Sequence, residues 1–213
     1  MQQRNVAILI FDDVEVLDFC GPFEVFSVTG RRDGSNPFNV YTVAENKQVS
    51  ARNNLSINPS YTLDTCPQPN ILVVPGGGGR HADGTPYGTR REMLNENLLQ
   101  WINQLYPKTE HVLSVCTGAL ILAKAGLTEN LAATTHHGAI DELRRVAPNT
   151  EVREGDRIVD NGRLIFSGGI SAGIDAAFYL VAKLLGEEVA SETAIYMEYD
   201  WKGTPHIASI GIA

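Results

Sequence analysis

The sequence predicts an α/β protein, with a largely parallel sheet, helices on both of its faces, and one small β-hairpin. Three observations carry that reading. Short apolar runs alternate with longer stretches of helical periodicity along most of the 213 residues. Several runs are continuously apolar, as strands must be when helices cover both faces of a sheet. Two further runs flank Asp160-Asn161-Gly162, a turn signal that joins antiparallel strands.

Taken in order, Val6–Phe11 reads as a buried strand. Val16–Val28 follows as a helix, with Leu17, Phe19, Val25 and Phe26 at helical spacing. Phe38–Val43 alternates like a strand, and Ile71–Val74 is another apolar run. A glycine-rich loop, Gly76-Gly77-Gly78-Gly79, leads to a helix from about Glu92 to Leu105. The strand His111–Val115 passes through Cys116 into a helix over Gly118–Ala125, which Gly126 is placed to end. Leu131–Thr135 is a short strand candidate, and Gly138–Val146 a helix stopped by Pro148-Asn149. Arg157–Val159 and Leu164–Ser167 make the hairpin, and Ser171–Leu185 and Glu188–Tyr199 are the last helices. With no internal repeat, low-complexity tract or domain-length linker, residues 1–213 are expected to form one domain. Its core spans about residues 5–200, with 201–213 as a C-terminal extension.

Hydrophobic residues make up 43% and charged residues 20%, an ordinary globular composition. A net charge of −8 argues against a nucleic-acid-binding surface, which should be basic. No apolar run is long enough to cross a bilayer, and Met1-Gln2-Gln3-Arg4-Asn5 lacks the apolar region of a signal peptide. A cytoplasmic protein with no membrane partner is therefore expected. Three widely spaced cysteines fit neither a disulfide framework nor a zinc pattern, and no spacing of His, Cys, Asp and Glu suggests a metal site. No metal is expected, and no cofactor, since a cysteine and an acid suffice for a covalent route.

Open α/β sheets bind ligands at the carboxyl ends of their strands, where Cys116 and Pro75-Gly76-Gly77 both fall. A sharp strand-to-helix turn would project the Cys116 side chain out of the sheet, toward unpaired N–H groups of the first helical turn. The helix dipole there favours thiolate, although cysteine also serves as a buried structural residue. The glycine run lacks the Lys-Ser/Thr pair of a phosphate loop, and His81 stands where the last glycine of a dinucleotide fingerprint would fall. It serves either as half of an oxyanion hole or as a tight turn. Asp18, between Leu17 and Phe19, is either a helix-start acid or a carboxyl facing Cys116. In the second case burial and the sulfur's charge would raise its pKa, letting it donate a hydrogen bond and later a proton.

His136 and His137 follow the Leu131–Thr135 strand. One of them would be an alternative activator of the thiol; the other reading is a helix-start or surface position. His111 reads as structural and His81 has no assignment. Glu92, Glu96 and Arg90-Arg91 read as a solvated helix face, and Trp101 as core.

Four motifs then stand in order: Asp18-Phe19-Cys20-Gly21-Pro22, Pro75-Gly76-Gly77-Gly78-Gly79, Ser114-Val115-Cys116-Thr117-Gly118 and Ala133-Thr134-Thr135-His136. With Gly168-Gly169-Ile170-Ser171-Ala172-Gly173-Ile174-Asp175, they make the sequence resemble the DJ-1/PfpI superfamily over roughly residues 5–200, and within it the isocyanide hydratase branch. The resemblance implies a flavodoxin-like α/β sandwich, a homodimer and a small-molecule substrate. It carries a nucleophile to Cys116, an acid to Asp18, and oxyanion-hole donors to Gly77 and Thr117. Phe19, His136 and Ile170 become pocket-wall candidates. Protease-like and amidotransferase-like relatives place histidine directly after the cysteine. Thr117 stands there instead, which sets aside a triad of that kind.

The implied reaction is hydration of an isocyanide to an N-substituted formamide through a covalent Cys116 thioimidate. Two other functions fit the same motifs. One is action on reactive carbonyls such as methylglyoxal, with His136 as the extra base. The other is a cysteine-based ligand or redox sensor, since the motifs also resemble the N-terminal domain of some AraC-type regulators.

Overall fold

The computed structural model describes residues 3–203. Seven strands form the central sheet, in the order Ile158–Asp160, Leu164–Ser167, His111–Val115, Ile71–Val74, Arg4–Leu9, Phe38–Ala44 and Tyr61–Thr62. All neighbours are parallel except the edge pair Ile158–Asp160 and Leu164–Ser167, the hairpin expected around Asp160-Asn161-Gly162. The five long parallel strands run 2-1-3-4-5 in chain order, the doubly wound arrangement of flavodoxin-like folds. Their apolar composition explains their place: every residue of Ile71–Val74 and of Leu164–Ser167 is buried.

Helices Val16–Val28, Ala172–Leu185 and Glu187–Tyr196 pack together as one layer, while Glu96–Leu105, Gly118–Lys124 and Ile140–Val146 build another. Close approach in the first layer depends on Gly21, where an added Cβ would stand 2.8 Å from Ile174 Cγ1. Helix Val16–Val28 has the predicted bounds, although Pro22 lies inside it and leaves the Asp18 carbonyl without a helical N–H partner. Among the described residues, no helix is long and apolar enough to cross a membrane.

Several elements depart from the sequence expectation. The first strand is Arg4–Leu9 rather than Val6–Phe11, with Ile10 and Phe11 buried just beyond it. The helix expected over Glu92–Leu105 is broken. A short helix, Thr89–Glu92, is followed by a second start at Asn95, whose side chain accepts the Leu98 N–H at 3.2 Å. Leu131–Thr135 reduces to Ala132–Ala133, paired with Glu151–Val152 outside the main sheet. Two ribbons were not anticipated: Val49–Ala51 with Leu55–Ile57, and Gly78–Arg80 with Pro86–Gly88. The glycine run is thus neither a simple turn nor a phosphate loop, since half of it enters a strand pair. The extension expected over 201–213 lies, beyond Gly203, outside the described residues.

Candidate active site

Register brings the strand ends to one level. Val74 pairs with Ser114, and Val115 with Ser167, so Pro75, Cys116 and Gly168 leave the sheet side by side. Helix Val16–Val28, which follows the strand Arg4–Leu9, delivers Asp18 to the same edge.

Cys116 occupies the left-handed region at φ 56°, the strained conformation of a sharp elbow. Three groups hold it there. Its N–H donates to Gly168 O at 3.0 Å, and Thr135 Oγ1 donates to its carbonyl at 2.8 Å. Behind it, the helix presses so close to Val74 that an added Cβ on Gly118 would stand 2.0 Å from the Val74 carbonyl oxygen. The Thr117 and Ile170 backbone N–H groups face the Cys116 sulfur and favour its charged form. Ile170 is itself at φ 52°, a region that β-branched side chains rarely enter. Each such residue stores about 1–3 kcal/mol of strain.

Asp18 is fully buried. Its Oδ2 accepts the Gly76 N–H at 3.0 Å, and Oδ1 has no conventional partner. The Cys116 thiol is the side chain that interacts with this carboxyl. Burial dominates the titration of both. It pushes Asp18 up to about 7, against the Gly76 and Cys116 hydrogen bonds that pull it down. It also pushes the thiol up, reinforced by the Asp18 charge and opposed by the two backbone N–H groups. The low-pKa, accessible thiol expected from the helix dipole is therefore corrected: Cys116 is only 5% exposed, and desolvation outweighs the dipole.

Gly77 also differs from expectation. Its N–H already donates to Thr117 Oγ1 at 3.1 Å, and that hydroxyl pairs with Thr89 Oγ1 at 3.0 Å. In this structure the N–H groups facing the sulfur are those of Thr117 and Ile170, while Gly77 orients Thr117. Gly77 must be glycine because at φ 136° an added Cβ would stand 2.3 Å from the Glu15 nitrogen.

A cavity of about 470 Å³ opens onto Cys116, with Thr117, His136 and Ile170 among its walls. Phe19 is not one of them; it is buried in the apolar core. His136 Nδ1 accepts the Gly138 N–H at 3.1 Å, and burial with its neighbour His137 keeps the ring's pKa down. Because Nδ1 accepts that N–H, the ring proton of the neutral form belongs on Nε2. His137 is exposed and its ring lies against that of His136, tilted by 34° with centroids 4.2 Å apart. His81 is exposed, and His111 Nδ1 binds the Gly162 carbonyl.

Sequence reasoning missed the charged walls. Arg90, read as part of a solvated helix face, lines the cavity and binds Glu142 at 2.6 and 3.0 Å. Glu15, Arg52, Arg80 and Arg145 line it too. Nothing in local sequence joins Arg90 to a glutamate 52 positions later. Among the described residues, no cluster of His, Cys, Asp and Glu is arranged to hold a metal ion.

A cysteine elbow backed by a buried carboxyl, on the carboxyl edge of a doubly wound sheet one strand from its switch point, defines the class of this α/β protein. The chain belongs to the DJ-1/PfpI family, whose model matches residues 4–183. It is 33% identical over 197 residues to an isonitrile hydratase of Pseudomonas putida, covering 92% of this chain and 78% of that protein. It is also 23% identical to the HTH-type transcriptional regulator GbdR of Pseudomonas aeruginosa, of which it spans 52%. Among solved structures, a THiJ/PfpI family protein from Pseudomonas syringae has a TM-score of 0.80 at 28% identity, covering 94% of this chain and 76% of that one. DJ-1beta of Drosophila melanogaster shares the fold, with a TM-score of 0.78 at 17% identity over 94% of this chain and all of that one.

Proposed function

We propose that this chain is a cofactor-independent isocyanide hydratase. The observation that carries the reading is the buried Asp18–Cys116 pair, whose carboxyl titrates near 7 beside a thiol pushed upward. Through neutral pH the pair passes from two protons to one as the carboxyl ionises; burial favours the remaining proton on sulfur at rest, and the reaction moves it to Asp18. With the proton on Asp18, the site contains a thiolate and an acid together.

The thiolate attacks the terminal carbon of R–NC, forming a C–S bond and leaving a lone pair on that carbon. Asp18 transfers its proton to the carbon, giving the thioimidate Cys116–S–CH=N–R. Water then adds across the C=N bond. Its hydroxyl goes to carbon and a proton to nitrogen, with the Asp18 carboxylate relaying the proton. Collapse forms the carbonyl, breaks the C–S bond and releases R–NH–CHO. The hydroxyl proton returns to the pair. The Thr117 and Ile170 N–H groups stabilise the thiolate before attack and as it departs.

Thr117 in place of histidine supports this reading, as does the likeness to the Pseudomonas putida isonitrile hydratase. The carbonyl alternative is less well served, because the His136 Nδ1 lone pair already accepts the Gly138 N–H. A cytoplasmic homodimer belongs to the same proposal, with light scattering of the purified protein as its check.

The test is an assay of isocyanide loss and formamide gain by the purified protein. Cys116→Ala should abolish turnover, and Asp18→Asn should reduce it by about 10²-fold or more, the scale of a lost general acid. Undiminished turnover by Cys116→Ala would exclude the covalent route.

A further inference from the structure

The cavity over Cys116 has a charge opposite to that of the whole chain. Four arginines line it, Arg52, Arg80, Arg90 and Arg145, against two carboxylates, Glu15 and Glu142. Each carboxylate already has its cation: Glu15 binds Arg52 at 2.6 Å, and Glu142 binds Arg90. Arg80 and Arg145 are left over. Among the described residues neither has a carboxylate within ion-pair distance. Arg80 donates only to the Gly84 carbonyl at 3.2 Å, and Arg145 only to the Asp141 carbonyl at 3.3 Å. Most of each guanidinium's five N–H donors are therefore unassigned.

These cations do not serve the thiol. The principal influences on the Cys116 sulfur are burial, Asp18 and two backbone N–H groups, with no arginine among them. Nor do they reflect a generally basic surface, because the chain carries a net charge of −8. Two unpaired arginines on separate elements, the Gly78–Arg80 strand and the Ile140–Val146 helix, share one cavity with the reacting sulfur. Arginine's planar fork matches an oxyanion, and a cavity with an excess of one sign of charge gathers ligands of the other.

We propose that the molecule bound at Cys116 carries an oxyanionic substituent, of which a carboxylate is the simplest, held by Arg80 and Arg145 while its reactive end meets the sulfur. The proposal rests on Cys116 as the reacting group and specifies the substrate class: an isocyanide whose R group bears an anion rather than a neutral alkyl or aryl isocyanide.

Iodoacetate and iodoacetamide differ little besides charge and alkylate thiols without any need for hydratase activity. Their rate ratio at Cys116, read by peptide mass mapping against the ratio for N-acetylcysteine, measures the preference directly. Wild type should favour iodoacetate by about tenfold over the free thiol, the scale of two nearby charges in partly screened surroundings. Arg80→Gln with Arg145→Gln should erase the preference, the corresponding lysine pair should keep most of it, and 0.5 M salt should weaken it by roughly severalfold in wild type. A wild-type ratio equal to that of the free thiol, or a ratio untouched by the double glutamine variant, would overturn the proposal. Turnover of a carboxylated isocyanide against its methyl ester should follow the same arginine dependence. If neither isocyanide reacts while the alkylation preference stands, the hydratase reading fails and the anion site survives.

Discussion

Asp18→Asn should stabilise the protein while disabling it, with a pH dependence that identifies the cause. In the native chain burial raises the Asp18 carboxyl from 3.8 to about 7, whereas the unfolded chain ionises it near the lower value. Between those values the folded state binds the extra proton, so rising pH costs stability across that window. The cost is about 1.4 kcal/mol for each tenfold change in proton affinity, or about 3 kcal/mol between pH 5 and pH 7. Asparagine keeps an oxygen to accept the Gly76 N–H but cannot ionise. Cys116, pushed upward, titrates above this window and does not obscure it. Urea unfolding of both proteins at pH 5 and pH 8 should show the variant gaining about 3 kcal/mol on wild type as the pH rises. For a chain of this length that corresponds to a Tm difference of roughly 6–12 °C. A stability difference that stays constant with pH, or that moves in wild type's favour, would refute the burial argument.

The same titration shapes activity. The kcat/KM for isocyanide should climb through about pH 7 as the pair goes from two protons to one, and pH–rate profiles should lose that limb in Asp18→Asn. Gly118→Ala drives a Cβ into the Val74 carbonyl at 2.0 Å and should cost about 3 kcal/mol or prevent folding, read by urea titration and soluble yield. Gly126→Ala is the control: it meets no atom within 4 Å, and at φ 78° it should cost only about 1 kcal/mol. Thr117→Val strands the buried Gly77 N–H, so it should lose about 1–3 kcal/mol by urea unfolding, whereas Thr117→Ser keeps the acceptor.

The sheet was legible because parallel strands buried on both faces need continuously apolar runs, and Ile71–Val74 and Leu164–Ser167 supply them. The ribbons were not. Gly78–Arg80 and Pro86–Gly88 are three residues each, too short to show an alternation, and glycine and proline there argue against a strand. The broken helix was readable in principle, since Asn95 followed by Glu96 is an N-cap signal that the longer apolar periodicity overrode. In the site, Cys116 stood out because it falls where an apolar strand turns into a helix, and Asp18 because a carboxyl between Leu17 and Phe19 needs a partner. Arg90 did not, because what makes it unusual is a partner at Glu142 and a wall position that only tertiary packing creates.

The site's geometry bears on a conflict between two needs of the proposed hydratase route. Protonating carbon takes an acid near neutrality, which burial provides for Asp18; attacking it takes a thiolate, which burial opposes at Cys116. Moving the proton from sulfur to carboxyl within the pair avoids placing two charges in the same dry space. The left-handed elbow at Cys116 and the second left-handed residue at Ile170 bring two N–H groups onto the sulfur, offsetting part of its desolvation. On the proposed route, strain at those two positions is tied to the chemistry: relaxing either backbone would withdraw a donor from the thiolate and oppose the transfer of its proton to Asp18. Glycines at 76, 77 and 118 permit the close approaches that hold this arrangement, and an added Cβ at any of them would meet backbone within 2.5 Å. On the proposed hydratase route the glycines thus serve catalysis indirectly, by permitting the close packing that keeps Asp18 beside Cys116 so that one proton can move between them.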